Sequence, residues 1–336
     1  MLRLLIFSAR PISGRSGLSL DVCMLSLSDV EAARDRIADA VQRTPMWDAK
    51  LLRKAPFPGA DIWLKLELLQ ATGSFKARGA VNKARALSKD ELNRGLITAS
   101  GGNHGLAVGY VGSMLGVPTT ICLPTNVNPE KAAKLKGYGA KVVIEGATWL
   151  ESNRNALAIA QSEGLTYIHP FADPFVAAGQ GTIALEILED VPQIDTILVA
   201  IGGGGLITGI ATAAKAIKPS IRIVGIEPVG APTLKACLDA GEVVSLPRIA
   251  TAAVTLAAGR TEPFNYEAVA RHVDEVVLVS DDDMRDAARW LWNEFAIAAE
   301  MSGAASIAAL QTGAVKVRPG ERVCALICGA GRDGLA

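Results

Sequence analysis

Thr196-Ile197-Leu198-Val199-Ala200-Ile201-Gly202-Gly203-Gly204-Gly205-Leu206 decides the fold. A short, uninterrupted apolar run reads as a strand buried on both faces, which is the pattern of a parallel sheet. Four glycines follow it directly, and the segment from Leu206 to Ile217 reads as a helix. Without side chains, the backbone N–H groups of Gly202 to Gly205 can converge on an anion, and a helix N-terminus adds partial positive charge. The bland reading is a tight turn that needs room, for which one glycine suffices. A phosphate is the expected guest. The P-loop pattern fails, because no Lys-Ser or Lys-Thr follows. The dinucleotide fingerprint fails too, since its sixth position falls on Ile207 or Thr208. Glu227, at the end of the next strand, keeps a nicotinamide oxidoreductase as a rival.

The same strand, turn and helix rhythm extends in both directions. Strands are predicted at Leu96–Ala99, Thr119–Leu123, Lys141–Ile144, Ile221–Ile226, Glu275–Val279 and Arg322–Ile327. Helices are predicted at Leu106–Leu115, Glu130–Gly137, Trp149–Gln161 and from Ser280–Asp283 to about Ala299. Strands alternating with helices imply parallel pairing through crossovers. Upstream, Ser28 to Glu31 reads as a capping box opening a helix to about Gln42, and Ser88 to Glu91 as a second. Asp61 to Glu67 alternates as a strand does, and a helix is expected through Val81 to Leu87.

Two further stretches carry polar chemistry. Thr72-Gly73-Ser74-Phe75-Lys76-Ala77-Arg78-Gly79-Ala80 sets one lysine among small residues. Alone, such a lysine is a surface charge more often than an amine held for covalent work. Ser100-Gly101-Gly102-Asn103-His104-Gly105 is a second turn between strand and helix, whose amides could hold a carboxylate. The histidines His104, His169 and His272 form no triad or metal spacing, so structural roles are favoured for each. Asp281-Asp282-Asp283 after Ser280 suits a helix N-terminus better than a metal. No GxSxG elbow is present.

Composition bounds the rest. The 336 residues suggest two domains, with half the residues apolar. Lys plus Arg equals Asp plus Glu at 34 each, which argues against nucleic acid or a membrane surface as partner. No run of 18 apolar residues predicts a membrane span. Five irregularly spaced cysteines fit a reduced cytoplasmic compartment and offer no zinc spacing. Residues 1–27 read as a non-core extension, Arg- and Ser-rich up to Leu20, either a transit-like segment or an early start ahead of Met24.

In combination and order, these stretches resemble fold-type II pyridoxal-phosphate enzymes of the threonine/serine dehydratase and serine racemase group. The resemblance covers roughly Ser28 to Gly331 and includes Ala299-Glu300-Met301-Ser302-Gly303-Ala304, similar to a segment that usually reads E-P-x-G-A. It implies an α/β fold of two open, twisted, mainly parallel sheet domains with helices on both faces, like the tryptophan synthase β chain. Residues 28–69 and 171–336 would form a large cofactor-binding domain, and 70–170 a small substrate-binding one. It implies pyridoxal 5'-phosphate as cofactor, a small amino-acid substrate and a homodimer.

The implied roles fall on single residues. Lys76 forms the Schiff base and takes the α-proton. Phe75 packs beside the cofactor ring, and Asn103 bonds its phenolic oxygen. Gly202, Gly203, Gly204, Gly205 and Leu206 bind its phosphate, and Cys328 faces the pyridine nitrogen, where a serine is usual. Ser100, Gly101, Gly102, Asn103 and His104 hold the substrate. The implied reaction is dehydration and deamination of threonine or serine by β-elimination to a 2-oxo acid and ammonia. Gly101 stands where racemases of the group carry a second serine, which favours elimination over racemization. Other β-elimination or β-replacement chemistry, and a non-catalytic anion-binding protein, are the remaining alternatives. Met301 and Gly331 depart from the family pattern. Thr233 stands where an acid completes a cation site near Glu227, so no metal is assigned.

Overall fold

The computed structural model describes residues 24–51, 57, 59–127 and 129–335. Most of the expected N-terminal extension, with Cys23, lies outside them. Ten strands form two sheets among the described residues. The larger contains β1 (Met46–Asp48), β2 (Asp61–Lys65), β7 (Thr196–Ala200), β8 (Arg222–Pro228), β9 (Glu275–Val279) and β10 (Arg322–Leu326), in the order β1-β2-β10-β7-β8-β9. The smaller contains β3 (Leu96–Ala99), β4 (Thr119–Leu123), β5 (Lys141–Ile144) and β6 (Thr166–Tyr167), in the order β5-β4-β3-β6. Every pairing is parallel except β1 with β2. Every residue of β3, β4 and β7 is buried. Successive side chains point to opposite faces, so both faces of those strands are covered.

The cover is helical. In the first half of the chain lie α1 (Leu27–Ile37), α2 (Lys76–Arg85), α3 (Lys89–Arg94), α4 (Asn103–Leu115), α5 (Pro129–Gly137) and α6 (Trp149–Glu163). In the second lie α7 (Pro174–Asp190), α8 (Gly205–Ile217), α9 (Thr233–Ala240), α10 (Pro263–His272), α11 (Asp281–Phe295) and α12 (Met301–Gln311). The first capping box sits two residues earlier than the sequence suggests. Ser26 caps α1, its hydroxyl accepting from Asp29 N while the Asp29 carboxylate accepts from Ser26 N. Either serine fits the pattern, but Asp29 stands three residues after Ser26 and closes the box there. The helix ends at Ile37, five residues short of Gln42. The Ser88 box forms as read, and Ser280 with Asp283 closes another at α11, so that acidic run caps a helix. Among the described residues, no cluster of three or more His, Cys, Asp or Glu could hold a metal, and no helix is long and apolar enough to cross a membrane.

Helices α2 and α7 approach closely because glycines face each other. A Cβ at Gly79 would lie 2.6 Å from the Val176 carbonyl oxygen, and one at Gly179 2.7 Å from Gly79 Cα. Beneath this crossing lies a buried ion cluster. Arg78 holds the carboxylates of Glu67 and Glu186, and Lys65 donates to Glu186 Oε2 at 2.6 Å. Two cations and two anions balance there, which is how charge is tolerated in an interior.

Candidate active site

Lys76 is the first residue of α2, and its position is fixed by the chain just before it. Thr72 and Gly73 both take left-handed backbone conformations, at φ 69° and 82°. The turn they make brings Ser74 into an antiparallel bridge with Gly329. Ala330 N donates to Gly73 O (2.8 Å), and Phe75 N to Cys328 O (3.2 Å). The start of α2 is thus stapled to the loop beyond β10. Lys76 Nζ donates to Pro170 O at 2.6 Å and stands 5.1 Å over the Phe75 ring. Burial pushes its pKa down to about 8. About a tenth of the amine is then unprotonated at pH 7, against fewer than roughly one in a thousand at its ordinary value.

Cys328 is buried, and its thiol lies 3.5 Å from Ser302 O as a donor. Burial pushes the thiol up, so it stays neutral and protonated. Cys122, Cys237 and Cys324 are likewise free and buried.

The glycine turn leads from β7 into α8. Gly204 is the N-cap at φ 101°, and no side chain caps the helix. The first amides of α8 are therefore available to an anion. Side chains would not fit here. A Cβ at Gly203 would lie 2.3 Å from the Phe171 ring, and one at Gly205 2.5 Å from Phe171 O. Thr261 Oγ1 (2.9 Å) and Asn265 Nδ2 (3.1 Å) both donate to Gly203 O and fix the turn from behind. Glu227, the candidate ribose ligand, instead accepts from the amides of Leu234 (2.8 Å) and Lys235 (2.9 Å) at the start of α9. Burial pushes its pKa up to about 7. A carboxyl so engaged offers nothing to a ribose, which removes the observation that favoured a nicotinamide.

The second polar turn leads from β3 into α4. Ser100 Oγ accepts from Gly102 N (3.2 Å), Gly102 is the N-cap, and Asn103 begins the helix. A Cβ at Gly105 would lie 1.9 Å from Ser100 O, so only glycine closes this turn. Gly101 has more space, with Leu123 and Val127 no nearer than 3.4 Å. His104 faces inward. Its Nε2–H donates to Ile168 O (2.9 Å), its Nδ1 is buried without a partner, and burial pushes its pKa down to about 3. A neutral ring locked to a backbone carbonyl is a poor base for a ligand.

Two groups of residues escaped the sequence reading. One is the connection from His169 to Asp173. Pro170 O receives Lys76, Phe171 packs over the glycine turn, and His169 Nδ1 accepts from Ala172 N at 2.8 Å. His169-Pro170 is a local signal against helix, since proline biases the residue before it toward extended backbone, but it carries no trace of what the connection meets. The other is the polar knot around Glu300. Glu300 Oε1 accepts from Asn103 Nδ2 at 2.9 Å and from Ser302 Oγ at 2.6 Å. Thr255 Oγ1 donates to Ser302 Oγ at 2.5 Å. The knot joins all three turns. A Cβ at Gly202 would lie 3.0 Å from Thr255 O, and one at Gly329 2.4 Å from Glu300 Oε1 and 3.1 Å from Asn103 Nδ2. The amine, the glycine turn, the Asn103 turn and Cys328 therefore border one site. A ring bearing a phosphate and a carbonyl fits this donor set: an uncapped helix start where a Cβ at Gly203 or Gly205 collides, a neutral thiol, an amide and a desolvated amine.

The chain is similar to known proteins over most of its length. The family described as "Pyridoxal-phosphate dependent enzyme" matches residues 37–329. The chain is 36% identical to an L-threonine ammonia-lyase of Thermotoga maritima over 310 residues, covering 92% of this chain and 76% of that one. It is 37% identical to the catabolic L-threonine dehydratase TdcB of Staphylococcus aureus, covering 92% and 90%. Among solved structures, maize serine racemase superposes with a TM-score of 0.86 at 33% identity, covering 91% of this chain and 93% of that one. The processed form of threonine deaminase isoform 2 from Solanum lycopersicum gives 0.85 at 34% identity, covering 91% and 89%.

Proposed function

We propose a function from one premise: the chain belongs to the family of pyridoxal-phosphate dependent enzymes. It is a lyase that converts a β-hydroxy-amino acid, threonine or serine, into a 2-oxo acid and ammonia, the water lost from the β-carbon being taken up again when the released enamine hydrolyses. The observation that carries this is the desolvated amine of Lys76, bordered by the glycine turn, Asn103 and a neutral Cys328. The threonine ammonia-lyase and threonine deaminase relatives support the substrate class.

Bound at this site, pyridoxal phosphate supplies the electron sink that acidifies the proton on the substrate's α-carbon. The chain's residues do the rest. The amides of Gly202 to Gly205 and Leu206 hold the phosphate. Phe75 supports the ring, and Asn103 donates to its phenolic oxygen. With its one S–H turned from Ser302 O, the Cys328 thiol would offer the ring nitrogen a hydrogen bond without a charge, a weaker electron pull that suits prompt loss of the β-hydroxyl. The Ser100–Gly102 turn and the start of α4 hold the substrate carboxylate. Lys76, with its lowered pKa, takes the α-proton. Gly101 puts no hydroxyl on the opposite side, so no second acid returns a proton there. In this reading residues 70–170 form the substrate side, and 28–69 with 171–336 the cofactor side. The protein is read as a cytoplasmic homodimer, the first supported by its free thiols.

The test is to incubate the purified, cofactor-loaded protein with L-threonine and with L-serine, and to measure 2-oxo acid, ammonia and D-amino acid. Equal amounts of 2-oxo acid and ammonia with little D-isomer support the lyase. D-serine as main product would assign a racemase, and no product from either would sink the reading. The phosphate role has its own check. Gly203→Ala drives a methyl into the Phe171 ring, and overpacking costs about 1–3 kcal/mol. Cofactor binding in a spectroscopic titration is then expected to weaken about 10- to 100-fold, and an unchanged dissociation constant would remove Gly203 from the phosphate site.

A further inference from the structure

Glu300 is 7% exposed, and its hydrogen-bond donors converge on one oxygen. Oε1 accepts from Asn103 Nδ2 (2.9 Å) and from Ser302 Oγ (2.6 Å), whose own oxygen accepts from Thr255 Oγ1. Oε2 takes none of them. A carboxyl built this way serves the same donors in both protonation states, because a proton on Oε2 leaves Oε1 an acceptor. The amide of Asn103 has two ends, and only its nitrogen can face an acceptor oxygen. Glu300 therefore decides which way the amide points.

We propose that Glu300 is a positioning residue for this reaction, acting through Asn103: it takes one N–H of Nδ2 and leaves the second for the cofactor's phenolic oxygen. The inference rests on the reading of Asn103 given above and adds a residue to which that reading assigns no role. An ionised Glu300 polarises the Asn103 N–H more than a neutral one, so the strength of this grip follows pH. Burial first, then the negative charge of Asp333, push its pKa up to about 7. Asp333 is fixed on the far side by Met301 N (3.3 Å) and Gly334 N (3.1 Å). The other titratable neighbours are Lys76 and the neutral Cys328. From α4 and the Thr255 segment, Glu300 meets only the uncharged groups of Asn103 and Thr255. Glu300 thus ionises as pH rises through about 7.

The test compares Glu300→Gln, Glu300→Ala, Asn103→Ala and Asp333→Asn as holoenzymes, by the absorption band of bound cofactor and by kcat/KM, both across pH. Glutamine keeps an acceptor oxygen but cannot ionise. Glu300→Gln is expected to keep the wild-type band, hold kcat/KM at the plateau within about threefold, and lose the transition near pH 7. Glu300→Ala is expected to shift the band as Asn103→Ala does and to lower kcat/KM about tenfold, the scale of one charge-assisted hydrogen bond. The double variant should be no worse than either single one. Asp333→Asn should move the transition to lower pH. A wild-type pH profile in Glu300→Gln, a wild-type band in Glu300→Ala, or effects of Glu300→Ala and Asn103→Ala that multiply would each overturn the proposal. If Glu300→Ala does not fold, the Glu300→Gln and Asp333→Asn profiles decide. If the wild type binds cofactor but deaminates neither threonine nor serine, the substrate reading fails, while the band comparison still judges Glu300.

Discussion

The Lys76→Ala variant is expected to release 2-oxo acid about four orders of magnitude more slowly than the wild type, while remaining folded and still holding cofactor by its phosphate. Two contributions are lost together. One is the nucleophilic amine that attaches the cofactor, and the other is the base that takes the α-proton, which alone is worth about 10²–10⁴. Neither nearby histidine substitutes for it. His104 is pinned to Ile168 O and His169 Nδ1 is occupied by backbone amides, and burial lowers the pKa of both rings. The hydrogen bond lost with Lys76 goes to the single carbonyl of Pro170, a neutral acceptor. Its removal therefore leaves no paired counter-charge behind, and the denaturation midpoint should change little. The checks are single-turnover product release and borohydride treatment. Borohydride should bleach the band of the wild type and link cofactor covalently to it, but leave the variant unlinked. A Lys76→Ala protein that still carried borohydride-fixed cofactor would place the covalent bond on another residue. Lys76→Arg separates charge from nucleophilicity, and it is expected to be as inactive as the alanine variant because a guanidinium stays protonated.

What the sequence disclosed follows from how locally each feature is encoded. The run from Thr196 to Leu206 contains its own strand, turn and helix start, and all three form where read, with β7 ending at Ala200 and α8 beginning at Gly205. Lys76 and the Asn103 turn were legible for the same reason. The longest helix among the described residues, α7, was not. Thirteen of its seventeen residues are buried, so it has no polar face and no amphipathic period to detect. Its one local signal was Asp173-Pro174, a cap followed by proline at the first helical position. Helix α12 hid in the same way, buried from Met301 to Leu310. In the site, Glu300 was visible as part of a family-like segment, but its hold on Asn103 spans 197 positions of sequence. Contacts of that range leave no periodic trace in a single chain. Lys65 and Glu67 misled in another sense. Their alternation with Leu64 and Leu66 reads as a half-exposed strand, yet all four are buried because the charges neutralise one another through Arg78 and Glu186.

That cluster carries the largest expected effect on stability. Arg78 donates to Glu67 Oε2 through Nε (2.9 Å) and to Oε1 through a terminal nitrogen (2.7 Å). It holds both oxygens of Glu186 as well, at 2.6 and 2.9 Å, and reaches Thr182 Oγ1 at 3.1 Å. Arg78→Met keeps most of the volume and removes every one of these bonds. Two buried carboxylates then share the single cation of Lys65. Breaking a buried pair from one side costs about 3–5 kcal/mol, because the desolvated partner charge is left without compensation. A loss of that size is a large part of the stability of an ordinary domain. Lysine does not rescue it, since one ammonium cannot form two bidentate pairs. The pH dependence supplies the sharper check. Burial alone would raise the Glu186 carboxyl, but Arg78 and Lys65 hold it below its ordinary range. In the wild type its stabilising contribution is therefore present above the ordinary carboxylate pKa and is lost as pH falls through the lowered folded value. In Arg78→Met the sign reverses. Glu186, left to burial with Lys65 as its one cation, is then held less firmly as the anion, and the variant should gain stability relative to wild type as pH falls from about 8 to about 5.5. Urea denaturation midpoints at those two pH values read both effects. A variant as stable as the wild type at neutral pH, or one whose deficit grows on acidification, would mean that the cluster does not hold α2 in place. Because Arg78 lies on α2 two residues beyond Lys76, any Arg78→Met protein that stays folded should also show weakened cofactor binding, as the helix that presents the amine loses its anchor to Glu67 and to α7.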